Sequence, residues 1–342
     1  MPNMYRSICV WQGCRNSESR RVSHSFVYCV KIDKRMNISK NNSIIPPFLK
    51  AGDQVEIVAP AKFVTSKDIE NAVYFFKQHK LDIIFNKTVF QKDNVFAGTI
   101  LKRVENLNAA INNKKTKAIL FARGGYGSIQ IIDSINFIEL SKNPKWLIGF
   151  SDTTSILMHI YSQFNICSIH GPMAYNFKDI SVDAGNHAIN ILKGEKINIK
   201  IDASHFNING TSHGILIGGN LSIICSLIGS KSMPSRESDF ILFIEDVDEY
   251  IYHLERMMYM LDRAGLLKNI KGLIVGQMTG ILDNPISFGK DPAQLINDIV
   301  SKYRYPVCFN FPIGHTENNN SIIIGERIKL EVNDIFSQIK YE

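Results

Sequence analysis

From residue 45 the chain alternates short apolar runs with amphipathic segments, and this alternation constrains the fold more than any other feature. The apolar runs predict strands at 55–60, 81–85, 118–122, 145–150 and 166–170. Apolar residues at three- and four-residue spacing predict helices at 66–80, 99–112 and 152–164. Strands that alternate with helices in this way predict a doubly wound parallel sheet.

The second half of the chain has a different, mixed pattern. Strand-like runs lie at 214–217, 240–244, 273–276 and 322–332, and helical segments lie at 183–192, 221–229, 249–264 and 291–303. We therefore predict an α/β protein with four segments. These are a disordered basic extension at 1–44, an N-terminal α/β domain at 45–175, a connector at 176–207, and a C-terminal β-rich α+β domain at 208–342.

The net charge of +7 is concentrated at the N-terminus. Residues 1–40 contain eight basic and two acidic residues, which leaves the other 302 residues at a net charge of only +1. A nearly neutral body argues against nucleic acid as the partner. The first 35 residues lack clear periodicity, which favours a disordered extension upstream of Met36 over a cationic recognition arm.

The cysteines and the apolar stretches indicate the cellular compartment of the protein. None of the six cysteines forms a C-x-x-C pair, so a zinc site is weakly supported, and single cysteines in apolar runs are typical of a reducing compartment. Residues 8–11 form an apolar stretch that is too short for a secretion signal. We expect a cytoplasmic protein with no metal, no membrane partner and no membrane span.

Two glycine-rich turns follow predicted strands in the first half. The segment 123–128 contains Gly124, Gly125 and Gly127, which could form an anion-binding nest or an ordinary strand-to-helix turn. The segment 149–154 leads from a buried strand into Ser151. That serine is either a helix N-cap or a nucleophile with the N–H of the next residue available to an oxyanion.

A serine nucleophile needs a base and an acid that orients it. His315 follows an apolar run and precedes a polar loop, which places it at a strand exit, and His170 is a competitor in a similar setting. Glu245 and Asp246 end the apolar run at 240–244, where a solvated strand end is the alternative interpretation. Lone histidines are more often structural than catalytic, so the residues alone leave these alternatives open.

Ten short motifs, in order, make the chain resemble the LD-carboxypeptidases, the serine peptidase family that includes murein tetrapeptide carboxypeptidases and microcin C immunity peptidases. The motifs are L-K-A-G-D at 49–53, V-A-P at 58–60, A-G-T at 97–99, N-L-N at 106–108, R-G-G-Y-G at 123–127, G-F-S-D at 149–152, G-P-M at 171–173, G-G-N-L at 218–221, E-D at 245–246 and G-H at 314–315. Residues 1–40 have no counterpart. The resemblance implies an N-terminal α/β domain, a C-terminal β-rich domain, and an active site between them.

The resemblance also implies roles for individual residues. It makes Ser151 the nucleophile, His315 the general base and Glu245 the residue that orients His315. The oxyanion hole would be formed by the N–H groups of Asp152 and of the Gly124–Gly125 turn. His170 becomes either structural or a residue that supports the catalytic ones. Apart from the resemblance, Arg123 and Arg256 are substrate-binding candidates by their charge, and Tyr126 is a third candidate.

The implied reaction is hydrolysis of the amide before a C-terminal D-amino acid, with an acyl-enzyme and no cofactor. The expected substrate is the murein tetrapeptide, which would release D-Ala in cell-wall recycling, and a homodimer is expected. One alternative is a microcin C-type immunity peptidase that cleaves a peptidyl-nucleotide. Another, from a different class, is a non-catalytic anion- or peptide-binding module.

The extension yields the first prediction. Deletion of residues 1–35 should leave the turnover rate and the thermal unfolding midpoint nearly unchanged, because the motifs begin at residue 49. Both are measured on the full and shortened chains. A large fall in either would show that the segment is a built part of the fold.

Overall fold

A computed structural model describes residues 43–234 and 239–342, which form two β-sheets with helices packed around them. The predicted extension lies outside these ranges except at its end. Ile44, which the sequence assigns to the extension, instead forms a bridge with Ile166, so this boundary is wrong by at least one residue. Within the described ranges, no helix has the length and apolar character needed to cross a membrane.

The strands and helices have the following bounds. The strands are β1 (Gln54–Val58), β2 (Asp82–Ile84), β3 (Thr116–Phe121), β4 (Trp146–Gly149), β5 (Ser168–His170), β6 (Ile199–Asp202), β7 (Gly210–Asn220), β8 (Phe240–Val247), β9 (Gly272–Thr279), β10 (Val307–Cys308), β11 (Ile322–Ile324), β12 (Arg327–Val332) and β13 (Phe336–Tyr341). The α-helices are α1 (Ser66–Gln78), α2 (Ile100–Asn112), α3 (Ser128–Ile131), α4 (Ile138–Lys142), α5 (Thr154–Phe164), α6 (Val182–Leu192), α7 (Leu221–Leu227), α8 (Ile251–Arg263), α9 (Leu266–Asn269) and α10 (Pro292–Val300).

The first sheet has six strands in the order β11-β5-β4-β3-β1-β2. Its five N-terminal strands are mutually parallel, which confirms the predicted doubly wound sheet. The sixth strand, β11, comes from the C-terminal part of the chain and pairs antiparallel with β5. The single strand predicted at 322–332 is therefore wrong. It divides at Gly325, whose φ of 90° turns the chain from β11 in this sheet to β12 in the other.

The second sheet has seven strands in the order β10-β9-β8-β7-β12-β13-β6. Strands β7 to β10 are parallel neighbours, and β12, β13 and β6 extend the sheet with antiparallel pairing. Residues 199–202, assigned to a connector from the sequence, form β6 and pair with β13. The mixed α/β fold with two sheets agrees with the predicted fold class.

The two sheets share one apolar core. A single buried cluster includes Leu147 and Phe150 at the end of β4, Phe243 of β8 and Ile313. In parallel sheets, ligand clefts open at the carboxyl ends of the strands. Because this cluster joins the ends of β4 and β8, it brings the polar residues that follow these two strands toward each other.

A direct contact between β7 and α5 closes the same region. The N–H of Asn220 donates to Oγ1 of Thr154 over 3.2 Å. The preceding Gly219 has a φ of 145°, and a Cβ at that position would lie 2.5 Å from the Thr154 side chain. Only glycine allows the strand to approach the helix this closely.

Gly219→Ala should therefore destabilise the protein. The added methyl group overlaps Thr154, and overpacking of this kind costs about 1–3 kcal/mol in the free energy of unfolding. The matched control is Gly229→Ala, because Gly229 also has a positive φ of 84° but no atom within 4 Å of the added Cβ. Urea unfolding should show a larger loss for Gly219→Ala. Equal losses would mean that the contact contributes nothing beyond backbone strain.

Candidate active site

Ser151 lies on a sharp turn between β4 and α5. The strand ends at Gly149, and Ser151 opens a single 3-10 turn that leads into the helix. Its φ of 58° is in the left-handed region, which is strained for a residue with a side chain and is found often at functional sites. Thr153, rather than Ser151, precedes the first residue of α5, so the N-cap interpretation of Ser151 is wrong.

Close packing fixes this turn. A Cβ at Gly149 would lie 2.5 Å from Oγ1 of Thr153, so no larger residue fits there. The Thr153 hydroxyl in turn donates to the carbonyl of Phe150 over 2.9 Å. Ser151 is half-buried, and among the described residues its hydroxyl makes no hydrogen bond. The turn thus holds a serine hydroxyl at the carboxyl end of a parallel strand.

The glycine-rich turn at 123–128 lies directly against Ser151. A Cβ at Gly124 would be 3.3 Å from Cβ of Ser151 and 3.5 Å from the backbone nitrogen of Asp152. The Asp152 carboxylate accepts hydrogen bonds from the N–H groups of Gly127, at 3.3 Å, and Ser128, at 2.9 Å. The anion bound by this part of the turn is therefore the chain's own Asp152. Burial raises the pKa of Asp152, although these hydrogen bonds and the charge of Arg103 oppose the rise.

Arg103 supports the turn from the other side, a role that sequence reasoning missed. Its side chain is almost fully buried, and Nη1 donates to the carbonyls of Pro60, at 2.9 Å, and Gly127, at 2.8 Å. Nη2 donates to Oε1 of Gln130 over 2.6 Å. The signal in the sequence was an arginine four residues before Leu107, on the apolar face of the predicted helix 99–112. The sequence does not show which carbonyl groups that arginine contacts.

Glu245 and His315 form a hydrogen-bonded pair in the second half of the site, in which His315 is half-buried. Nδ1 of His315 lies 2.8 Å from Oε2 of Glu245, whose side chain is fully buried. Glu245 lies within β8, not at a solvated strand end, so that alternative is wrong. Gly314 makes the pairing possible, since its φ is 120° and a Cβ there would lie 3.0 Å from Oε2 of Glu245.

An irregularity in the sheet marks the position of Glu245. Ile244 pairs with Val275, whereas Asp246 pairs with Met278, so β9 contains one extra residue opposite Glu245. Bulges of this kind redirect side chains and are common near active sites. The next residue, Asp246, accepts from Nδ2 of Asn220 over 2.8 Å and so ties the ends of β7 and β8 together. Burial raises the pKa of Asp246 to about 6.

The charges around His315 favour its protonated form. Burial alone would lower the pKa of His315, but the hydrogen bond and charge of Glu245 outweigh it, aided by Asp246 and Asp248. The net effect is a pKa above the ordinary value. A base with a raised pKa accepts a proton more readily, and the adjacent carboxylate stabilises the imidazolium that results.

His170, the competing histidine, has a different environment. It is fully buried between the rings of Phe150, at 5.7 Å, and Phe243, at 5.0 Å. Neither ring nitrogen has a hydrogen-bond partner in residues 43–234 and 239–342, and burial lowers the pKa of His170 to about 4. Of the two candidates, His315 is therefore the one with an acidic partner.

Phe150 joins the two halves of the site. Its ring centroid lies 4.7 Å from that of His315, and Ser151 is the next residue in the chain. Among the described residues, Ser151 and His315 are not hydrogen-bonded to each other. Such bonds are often long without substrate and shorten when it binds. The structure thus brings the Glu245–His315 pair against Phe150, the residue that precedes Ser151 at the end of β4.

The three substrate-binding candidates lie in different places. Arg123 is half-buried in the glycine-rich turn, and Tyr126 is 50% exposed in the same turn. Arg256 lies on the exposed face of α8, where its guanidinium carbon is 5.5 Å from the ring of Tyr252, and no described contact connects it to Ser151. In residues 43–234 and 239–342, no group of three or more His, Cys, Asp or Glu side chains could hold a metal ion.

Known proteins match nearly all of the part of the chain that the structure describes. Residues 55–171 match the LD-carboxypeptidase N-terminal domain, and residues 213–330 match the LD-carboxypeptidase C-terminal domain. The probable murein peptide carboxypeptidase of Bacillus subtilis is 27% identical, with 82% of this chain and 90% of that protein covered. The microcin C7 self-immunity protein of Escherichia coli is 23% identical, with 80% and 88% covered.

A solved structure gives the same result for the fold. The muramoyltetrapeptide carboxypeptidase from Oxalobacter formigenes has a TM-score of 0.78 and 27% identity, and the match covers 84% of this chain and 98% of that one. The two-sheet architecture described above is therefore shared with a carboxypeptidase of known structure.

The Glu245–His315 pair yields a prediction about pKa. In the wild-type protein the pKa of His315 should lie above its ordinary value of about 6.5. In Glu245→Gln it should fall, because the hydrogen bond and the negative charge that raise it are weakened while burial remains. Nuclear magnetic resonance of the imidazole Cε1–H signals measures both, with exposed His205 as an internal control. The same His315 pKa in both proteins would contradict the assigned cause.

Proposed function

The chain belongs to the LD-carboxypeptidase family, and we propose that it releases D-Ala from the murein tetrapeptide L-Ala-D-Glu-diamino acid-D-Ala. Family membership makes it a hydrolase of the serine carboxypeptidase type. The observation that most supports the catalytic assignment is the Glu245–His315 pair, at 2.8 Å, which packs on Phe150, the neighbour of the strained Ser151. In this proposal the three residues act as one catalytic unit.

The first half-reaction forms an acyl-enzyme. Nε2 of His315 removes the proton from Oγ of Ser151 as that oxygen attacks the carbonyl carbon before the terminal D-Ala. The carbonyl oxygen becomes an oxyanion that accepts hydrogen bonds from the N–H groups of Asp152 and of the Gly124–Gly125 turn. When the tetrahedral intermediate collapses, His315 gives the proton to the departing amine and D-Ala leaves.

The second half-reaction returns the enzyme to its starting state. Water replaces D-Ala, His315 removes a proton from it, and the resulting hydroxide attacks the ester on Ser151. The second collapse releases the tripeptide and returns the proton to Oγ. Throughout, Glu245 accepts a hydrogen bond from Nδ1–H of His315, which holds the ring in the tautomer that leaves Nε2 free to act as a base.

The packing around Ser151 supports this role for the oxyanion donors. Gly124 lies against both Ser151 and the backbone nitrogen of Asp152, and the Asp152 carboxylate holds the far end of the same turn. Donors fixed before the reaction need no rearrangement when negative charge develops, which is the main source of their effect. Asp152 thus serves through its backbone as a donor and through its side chain as an anchor.

A peptidyl-nucleotide of the microcin C type is the competing substrate, because the self-immunity protein is among the relatives. A nucleotide base would need an accessible aromatic ring to stack on. Trp146 is fully buried and stacks on Phe48 at 5.7 Å, so it cannot serve, but Tyr126 in the glycine-rich turn is 50% exposed. Trp11 lies outside the described residues. We propose the murein peptide as substrate because the probable murein peptide carboxypeptidase is 27% identical to this chain and the self-immunity protein is 23% identical. Cell-wall recycling, a cytoplasmic location and a homodimer are further parts of the proposal.

Replacement of the nucleophile tests this function. Ser151→Ala should lower kcat for D-Ala release from the tetrapeptide by about 10⁴-fold or more, because the covalent path is lost and only binding and oxyanion stabilisation remain. Ser226→Ala is the matched control, since Ser226 is an exposed serine on α7. Release of D-Ala is followed by coupled oxidation of the free amino acid.

The outcomes separate the candidate functions. Equal activity in the wild type and in Ser151→Ala would contradict the assignment of Ser151 as the nucleophile. No tetrapeptide activity in the wild type, together with cleavage of a peptidyl-nucleotide, would identify the competing substrate. No activity on either would favour the non-catalytic binding module that family membership argues against.

A further inference from the structure

Two cationic side chains share one aromatic ring beside the candidate active site. Cζ of Arg123 lies 4.3 Å from the ring centroid of Tyr175, and Nζ of Lys178 lies 3.9 Å from the same centroid. Each contact with the ring is favourable, and together they place two positive charges around one aromatic side chain. Such a concentration of positive charge can attract an anion.

Among the described residues, only Lys178 of the two cations has an acidic partner, and that partner is exposed. Nζ of Lys178 is 3.8 Å from a carboxylate oxygen of Asp179, whose side chain is 72% exposed. Asp68 influences both cations at a distance, yet its Oδ2 is held by the N–H of Thr65, at 2.8 Å, and by the Thr65 hydroxyl, at 2.7 Å. Among the described residues, no ion pair joins Arg123 to an acid.

The pair lies against the same turn as the nucleophile. Arg123 immediately precedes Gly124, and a Cβ at Gly124 would contact Ser151 on one side and Met173, at 3.2 Å, on the other. The 3-10 helix that carries Tyr175 begins just after Met173, and the N–H of Tyr175 donates to the carbonyl of Ala122 over 2.9 Å. The aromatic ring that both cations contact is therefore carried by a helix tied to the backbone just before Gly124, which itself lies against Ser151.

An exopeptidase that acts on the last amide bond must recognise the terminal carboxylate, and a cation at such a place can do so. In the leaving residue, only the amide nitrogen and Cα separate the reacting carbonyl carbon from the terminal carboxylate, so its oxygens lie roughly 4–5 Å from the point of attack. A guanidinium matches both carboxylate oxygens with two parallel N–H groups, and an ammonium adds a point charge.

We propose that Arg123 and Lys178 form the subsite that binds the C-terminal carboxylate of the peptide, with Arg123 as the main ligand. This inference rests on the proposed function, because it assigns the residues that restrict the reaction to the last amide bond. It predicts that the enzyme discriminates against peptides whose carboxylate is blocked.

The test compares two substrates that differ only at this group: the tetrapeptide ending in D-Ala and its C-terminal D-alaninamide. The wild type should prefer the carboxylate. Arg123→Gln should lower kcat/KM for the carboxylate substrate by about 10- to 100-fold, mainly through KM, and leave the carboxamide substrate nearly unchanged. Arg123→Lys should retain part of the preference, and Lys178→Gln should lose about 2- to 10-fold.

Lys200→Gln is the matched control, because Lys200 is an exposed lysine whose Nζ lies 4.1 Å from the ring of Phe336 in the second sheet. It should leave both substrates unaffected. Thermal unfolding midpoints report whether each variant folds. Lys178 is exposed, so Lys178→Gln decides the question if Arg123→Gln does not fold.

The results distinguish this inference from the proposed function. If the wild type releases D-Ala but the folded Arg123 and Lys178 variants keep the full carboxylate preference, only this inference is overturned. Equal losses on both substrates also overturn it, since they would indicate a structural role for Arg123. If the wild type cleaves neither peptide, the proposed function fails and this inference fails with it.

Discussion

The contact on which the site depends most is the hydrogen bond between the buried Glu245 carboxylate and His315. A fully buried carboxylate is costly unless it is paired, and breaking such a pair leaves an uncompensated charge. Three features surround this contact: the glycine at position 314, the extra residue in β9 and the ring of Phe150. The same contact raises the pKa of His315 and suits it to accept a proton.

The opposite half of the site is held by a second buried carboxylate. Asp152 binds the N–H groups of Gly127 and Ser128, while Arg103 binds the carbonyl of Gly127, so the glycine-rich turn is fixed from two sides. The two halves meet through the shared apolar core and through the contact of Asn220 with Thr154. Strand β11 connects them further, because it carries the C-terminal part of the chain into the first sheet.

Local patterns were sufficient for much of the fold, and together with the motifs they named the candidate residues of the site. The parallel strands of the first sheet are buried apolar runs bounded by turns, and such runs are visible in a sequence. Strand β6 was missed because half of its four residues are exposed and polar, and its pairing with the distant β13 depends on the whole sheet. The division at Gly325 was missed because nothing local shows that β11 and β12 belong to different sheets.

For the site too, the sequence does not show contacts between residues that are far apart in the chain. Ser151, Glu245 and His315 were identified from motifs, but their packing depends on contacts between residues far apart in the chain. The burial of Glu245 follows from the position of Gly314, and the role of Arg103 follows from carbonyls that the sequence does not connect to it. The Arg123–Tyr175–Lys178 group likewise becomes visible only when the two turns are placed side by side.

The central claim is that Glu245 acts through His315, and a double-mutant cycle in kcat/KM tests it most directly. The variants are Glu245→Gln, His315→Ala and the double variant, each assayed for D-Ala release from the murein tetrapeptide. If the two residues form one unit, Glu245→Gln has almost no further effect once His315 is replaced. If the two losses multiply, the residues act independently and the account of the site is wrong.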